Sequence, residues 1–169
     1  AKIKYLEVLK IDRNNFQINR LLALIEYSLE NYSNSLKLFN ECIKVQPNNS
    51  DAYSDRGVLY YKLKEIKKAE NDYLKAIDID NNTNALFNYG NLLKEKKMLN
   101  EAVLNYNLAI KAKPNFANAY QNRGLVKFLQ HKDQEALNDF SEVIKINSNH
   151  ANAHFLKSAL ELKKENLIE

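Results

Sequence analysis

The residues that could do chemistry are few, and their spacing serves it poorly. The chain holds three histidines and one cysteine. His150 and His154 are four apart, a spacing that puts two imidazoles on one helix face and would suit two metal ligands. No third ligand accompanies them, and His150 falls at a helix start. The pair therefore reads as a turn histidine and a half-packed one, and no metal is expected. Cys42 lies in a column of small residues that faces a partner helix, which makes it a buried structural thiol and not a nucleophile. A lone cysteine also forms no internal disulfide. Asp78 and Asp80 lie near a helix end, where carboxylates are solvated or form turns. No two glycines are close enough to build a phosphate-cradling loop. No catalytic residue and no cofactor are assigned, and the chain is not expected to be an enzyme.

Composition narrows the remaining classes. Of 169 residues, 45% are hydrophobic and 27% charged, enough for a packed core and too ordered a balance for a disordered chain. Three Gly and 2 Pro are too few for a loop-rich or all-β fold. The net charge of +4 is mild, and Lys and Glu alternate instead of forming a basic block, so a nucleic-acid partner is not expected. No apolar run reaches transmembrane length and the start lacks a signal-peptide pattern. The expectation is an intracellular, cytoplasmic protein with no membrane insertion.

The elements that position these residues recur with a fixed period. Gly57, Gly90 and Gly124 are spaced by 33 and 34 residues, and the column extends to Ala23 and Ser158. A small column runs Ala1, Ser35, Ala69, Ala102, Ala136, and an aromatic one Tyr5, Phe39, Tyr73, Tyr106, Phe140. Pro47 and Pro114 share a column, followed each time by Asn: Asn14, Asn48, Asn82, Asn115, Asn149. The single shorter spacing is a deletion in the turn near Asn82 and Thr83. Within each period apolar residues recur at helical spacing, so each unit is two antiparallel helices of about 14 residues. Small residues in the first helix let the second approach closely, and the aromatic is aimed towards the next unit. Repeated contacts of this kind stack units into a superhelix.

These columns resemble tetratricopeptide repeats, 34-residue helix–turn–helix units with small residues, an aromatic and a closing Pro at these places. The resemblance covers the whole chain. It implies an all-α, right-handed superhelical solenoid of antiparallel helix pairs, about ten helices in all. Residues 16–49, 50–82, 83–116 and 117–150 are four full repeats. Residues 1–15 would be the second helix of a preceding repeat and 151–169 the first helix of a following one, as in a window cut from a longer array. Asn19 and His154 stand where the family prefers an aromatic, so their repeats are expected to pack less tightly.

Two further columns co-vary inside the chain. Arg56 and Arg123 precede the glycine, and Asp72 and Asp139 precede the second-helix aromatic. Where the first column is Tyr89 or Leu22, the second is Asn105 or Leu38. Charge occurs in both columns or in neither, which predicts Arg56–Asp72 and Arg123–Asp139 ion pairs across their hairpins, structural in role.

In the family the first helices line a groove that takes a peptide or a partner helix. The residues expected there are Arg20, Leu21, Leu24, Tyr27, Asp51, Asp55, Val58 and Tyr61, then Asn84, Phe87, Asn88, Asn91 and Lys94, then Asn118, Gln121, Asn122, Leu125 and Phe128, and finally Asn152, Phe155 and Leu156. The chain has 25 Asn, and several fall in this set. An amide offers both a donor and an acceptor, so it can pair with the main chain of an extended peptide whatever its sequence. Asn88 and Asn122 match the asparagine ladder of the repeat domain of O-linked N-acetylglucosamine transferases, which Asp55 and Leu156 interrupt. Co-chaperone members hold a chaperone's C-terminal carboxylates with cations and asparagines. Here Asn91 and Asn122 take the asparagine places, but Phe87, Asn152 and Leu156 replace the cations, so that ligand is not expected.

The resulting expectation is a protein-interaction scaffold that binds an extended peptide or helix, with amides on the backbone and Tyr27, Tyr61, Phe87 and Phe128 as apolar anchors. Two alternatives remain open. One is the substrate-presenting region of a larger enzyme such as an O-linked glycosyltransferase. The other is an architectural array that associates with its own copies.

Overall fold

The structure, a computed structural model, describes residues 15–165. The helix expected over residues 1–15 therefore lies, apart from Asn15, outside the described residues. Among the described residues there are nine helices and no strand. They are α1 (Phe16–Ser28), α2 (Tyr32–Val45), α3 (Ser50–Lys62), α4 (Ile66–Asp80), α5 (Thr83–Glu95), α6 (Leu99–Ala112), α7 (Ala117–Leu129), α8 (Asp133–Ile146) and α9 (Ala151–Glu165). The chain forms two compact units, Ala1–Ala85 and Leu86–Glu169. In the first, α1 packs on α2 and α3 on α4; in the second, α7 packs on α8, which also meets α9. The fold is an all-α solenoid of antiparallel helix pairs.

Local chemistry sets where these helices start. Asn15 Oδ1 accepts from the Ile18 N–H at 3.1 Å, Asn49 Oδ1 from Ala52 at 3.2 Å and Asn82 Oδ1 from Ala85 at 3.0 Å. Each satisfies an N–H that has no partner within the helix. Two of these caps stand one residue beyond the repeating Asn column of the sequence. At α5 the shortened turn makes the column residue, Asn82, the cap, and Asn81 closes α4 in the left-handed conformation at φ 56°. His150 begins α9 in a similar way, its Nδ1 accepting from the Ala153 N–H at 3.2 Å.

The turn inside each hairpin was not legible from the glycines. After α1, the Asn31 N–H donates to Glu26 O at 2.8 Å and the Glu30 N–H to Tyr27 O at 3.0 Å. This is the Schellman arrangement, which needs a left-handed residue and normally takes glycine there. The same bond pair follows α3, α5 and α7. Yet the left-handed residues are Glu30, Lys64, Lys97 and His131, at φ 61°, 63°, 63° and 59°.

The glycines serve packing instead. A Cβ built on Gly57 would lie 2.6 Å from the Tyr73 ring, on Gly90 2.7 Å from Tyr106, and on Gly124 2.8 Å from Phe140. The aromatic thus covers the glycine of its own hairpin, where the spacing argument aims it towards the next unit. Tyr73, Tyr106, Phe39 and Phe140 are among the most completely buried large side chains. Ala69, Ala76, Ala102, Ala109 and Ala136 are fully buried beside them, because small residues are what allow the helices to close on a ring.

Candidate functional site

The two arginine–aspartate pairs are close and bidentate. Arg56 Nε donates to Asp72 Oδ2 at 2.7 Å and Nη2 to Asp72 Oδ1 at 2.8 Å. Arg123 Nε reaches Asp139 Oδ2 at 2.9 Å, with Nη2 on Oδ1. Each arginine also crosses to the preceding repeat. Arg56 Nη1 donates to Asn40 Oδ1 at 2.8 Å, and Arg123 Nη1 to Asn107 Oδ1 at 2.6 Å. Asn40 and Asn107 share a column with Leu74 and Ser141. The asparagine therefore appears where the next repeat carries the arginine, a co-variation present in the sequence and missed there. The Arg56 guanidinium lies 5.6 Å and 5.5 Å from the Tyr53 and Tyr60 ring centres. Arg123 lies 5.2 Å from that of Tyr120, and Lys127 adds a second cation 3.0 Å from Asp139. These networks hold hairpins to one another and expose little charge.

In the first unit, the residues expected in the groove on α1 and α3 are joined by charge. Arg20 Nε lies 2.7 Å from Asp55 Oδ2, and its Nη1 3.0 Å from Asp51 Oδ2. Asn82 Nδ2 donates to Asp51 Oδ1 at 2.9 Å and to Ser50 Oγ at 3.1 Å. Burial raises the Asp55 carboxyl above its ordinary value and outweighs the opposing pull of Arg20. Tyr27 stands 5.9 Å from Tyr32, ring centre to ring centre, and Tyr61 lies 6.0 Å from Lys64 Nζ. Leu21 and Leu24 remain exposed beside them. Asn84 is exposed at the start of α5.

In the second unit, the corresponding contacts are neutral. Asn91 Oδ1, on α5, accepts from Asn122 Nδ2 of α7 at 2.7 Å and from the Tyr106 hydroxyl of α6 at 2.7 Å. Asn88 and Gln121 are half-buried, while Asn118 and Asn152 are exposed. Phe87 is less available than an anchor would be: its ring centre lies 4.9 Å from that of Phe116 and 6.1 Å from Tyr106, within the core of the unit. Phe128 is exposed. It lines a cleft of about 420 Å³ with Lys94, Glu95, Lys97, Leu125 and Leu129, and a smaller hollow of about 100 Å³ with Leu156 and Leu160. Leu129, the last residue of α7, and Lys97, in the turn after α5, lie beyond the face drawn from helical spacing.

The residues set aside as structural are engaged elsewhere. Cys42 is fully buried, its Sγ 3.8 Å from Phe16 O, and burial pushes its pKa up to about 11, away from thiolate reactivity. His154 Nε2 contacts Ser148 O at 2.8 Å. Among the described residues, no group of three His, Cys, Asp or Glu could hold a metal ion. No helix among them is long and apolar enough to cross a membrane.

Family models described as tetratricopeptide repeat match residues 18–49 and 50–82, and one described as TPR repeat matches 90–131. The human protein O-mannosyl-transferase TMTC3 is 25% identical over 180 residues, covering 96% of this chain and 20% of the relative. The chain thus spans about a fifth of that relative's length. The solved structure of PilF from Pseudomonas aeruginosa superposes with a TM-score of 0.82 at 24% identity, over 90% of this chain and 70% of that one. The first TPR of Spaghetti (RPAP3), solved bound to the HSP90 peptide SRMEEVD, gives 0.65 at 23% identity over 69% and 94%. At these identities the structural likeness is one of fold.

Proposed function

Because the chain belongs to the tetratricopeptide repeat family, whose members are generally interaction scaffolds, we propose that it binds an extended peptide of a partner protein along the first helices of its second unit. The observation that carries this reading is the meeting of Asn91 and Asn122 at 2.7 Å, which joins amides of two consecutive first helices. Asn88 and Gln121 flank them. An extended peptide repeats a donor and an acceptor along its backbone, and amides complement both. The neighbouring cleft of about 420 Å³ then takes an apolar side chain against Leu125, Phe128 and Leu129. Lys94 and Lys97 at its edge favour a segment with acidic residues. A paired C-terminal carboxylate is not proposed as the ligand, because Phe87, Asn152 and Leu156 supply no cation to hold it.

The test is the Asn88→Ala, Asn122→Ala double variant, compared with the wild type in affinity capture. Loss of partners with helicity retained supports the reading. Equal capture by both proteins overturns it.

A second reading has its own support. TMTC3 aligns with 96% of this chain, so the repeats could present substrates to a catalytic domain elsewhere in a longer polypeptide. The full-length sequence decides between them: a glycosyltransferase domain supports presentation, and its absence restores the free-standing scaffold.

A further inference from the structure

The amide tie of the second unit has a third member, and its chemistry sets a direction. Asn91 is the polar residue of a column that otherwise reads Leu24, Val58, Leu125 and Ala159. Its Oδ1 accepts twice, from Tyr106 Oη and from Asn122 Nδ2, each at 2.7 Å. A carbonyl oxygen with two lone pairs is then fully used. Both N–H groups of Asn91 Nδ2 are left for an incoming acceptor, and Asn122 keeps its Oδ1 for an incoming donor. An unrestrained amide could turn through 180° and exchange these roles. The phenol opposes the turn: it is fully buried, and its oxygen also takes a hydrogen bond from the Asn122 side chain, so a turned Asn91 amide would leave its O–H without an acceptor.

We propose that Tyr106 is a positioning residue for peptide recognition, its hydroxyl fixing the Asn91 amide so that Asn91 Nδ2 and Asn122 Oδ1 meet a peptide main chain as donor and acceptor. The inference rests on the peptide-binding reading above and adds polarity to it. The peptide carbonyl faces α5 and the peptide N–H faces α7. Substitution of the phenol is sterically mild, since Phe39 and Phe140 fill the same column of this chain and are just as buried.

The experiment begins with a random 12-residue peptide library displayed on phage and panned against the wild-type chain. Recovered peptides are titrated against wild type, Tyr106→Phe, Asn91→Leu and the Asn88→Ala, Asn122→Ala double variant, with the melting temperature of each protein recorded. Tyr106→Phe is expected to weaken binding about tenfold at a nearly unchanged melting temperature, and Asn91→Leu at least as much. If Tyr106→Phe binds within about twofold of wild type while Asn91→Leu and the double variant lose affinity, Tyr106 only fills space and the inference fails. If the double variant also binds normally, the peptide-binding reading itself fails. A ligand-free measurement stands beside these. The side-chain NH2 resonances of Asn91, assigned by their loss in Asn91→Leu, should move in Tyr106→Phe, and unmoved resonances overturn the proposal.

Discussion

Residues 40–57 and 107–124 run in parallel through the two units. Asn40 and Asn107, Pro47 and Pro114, Tyr53 and Tyr120, Arg56 and Arg123, and Gly57 and Gly124 all correspond. The arginines make the same contacts in both places, to Asp72 and Asn40 in one unit and to Asp139 and Asn107 in the other. The first-helix faces differ. Arg20, Asp51 and Asp55 face each other as ions in the first unit, where Phe87, Asn118 and Asn122 stand in the second. One scaffold is therefore repeated under two surfaces. Residues that join hairpins are held to a pattern, while the outer faces of the first helices vary, because a hairpin contact must suit its fixed neighbour and an outward-facing residue need not. The first unit's cations and carboxylates already satisfy one another, whereas the second unit's amides keep unused donors and acceptors.

The largest test of this comparison removes the shared clamp. Asp139→Ala leaves Arg123 and Lys127 facing each other with little solvent, and should destabilise the chain by about 3–5 kcal/mol. Asp72→Ala leaves a single guanidinium stacked against Tyr53 and Tyr60, and should do less. Urea unfolding followed by circular dichroism orders the two, and an equal loss would mean that Lys127 adds nothing. Next comes the glycine column. Gly57→Ala and Gly124→Ala each force a Cβ against an aromatic ring, and each should cost about 1–3 kcal/mol in the same assay. The column's alanine, Ala23, shows that one hairpin has already adjusted to a Cβ, being fully buried in one cluster with Phe39.

A smaller effect comes from Asp55, whose substitution to Asn gives the first unit the second unit's residue. The folded-state pKa of Asp55 is raised, so its protonation favours the folded state. The stability that this protonation contributes is present at low pH and is lost as pH rises through the folded pKa, above the ordinary carboxylate value. Wild type should therefore gain on Asp55→Asn as pH falls through that range, and parallel stability–pH curves would refute the raised pKa. The smallest effect is expected at the hairpin turns. Lys64→Gly and Lys97→Gly relieve a left-handed residue and should each add about 0.5–1 kcal/mol, seen as a higher melting temperature. Equal gains would show that the two turns, one in each unit, carry the same strain.

Much of the fold was legible because it is repetitive. The Gly, Ala and aromatic columns had to stay in phase for every hairpin to close, so their spacing gave the helix pairs directly. The Arg56 and Asp72 columns co-varied for the same reason. Asn40 and Asn107 escaped notice because their partners lie in the next repeat, 16 residues on. The face expected to form a groove was drawn from helical spacing alone, as the side of each first helix opposite the second. The neighbours of Phe87, expected as an apolar anchor, were not legible because spacing gives a direction and not the contacts, and Phe116 from the following turn packs on its ring.

The sequence by itself determined that this chain is a stack of helix hairpins, and where small residues lie against large ones. Those conclusions follow from periodicity, and periodicity is a property of the one-dimensional string. Tertiary structure decided which amides are already bonded, that the Tyr106 hydroxyl reaches Asn91 across the packed hairpin, and that Glu30, Lys64, Lys97 and His131 turn left-handed without glycine. Each of these depends on atoms brought together across helices or forced by the closing of a turn, and a hydrogen bond is decided by tenths of an ångström that no spacing rule contains.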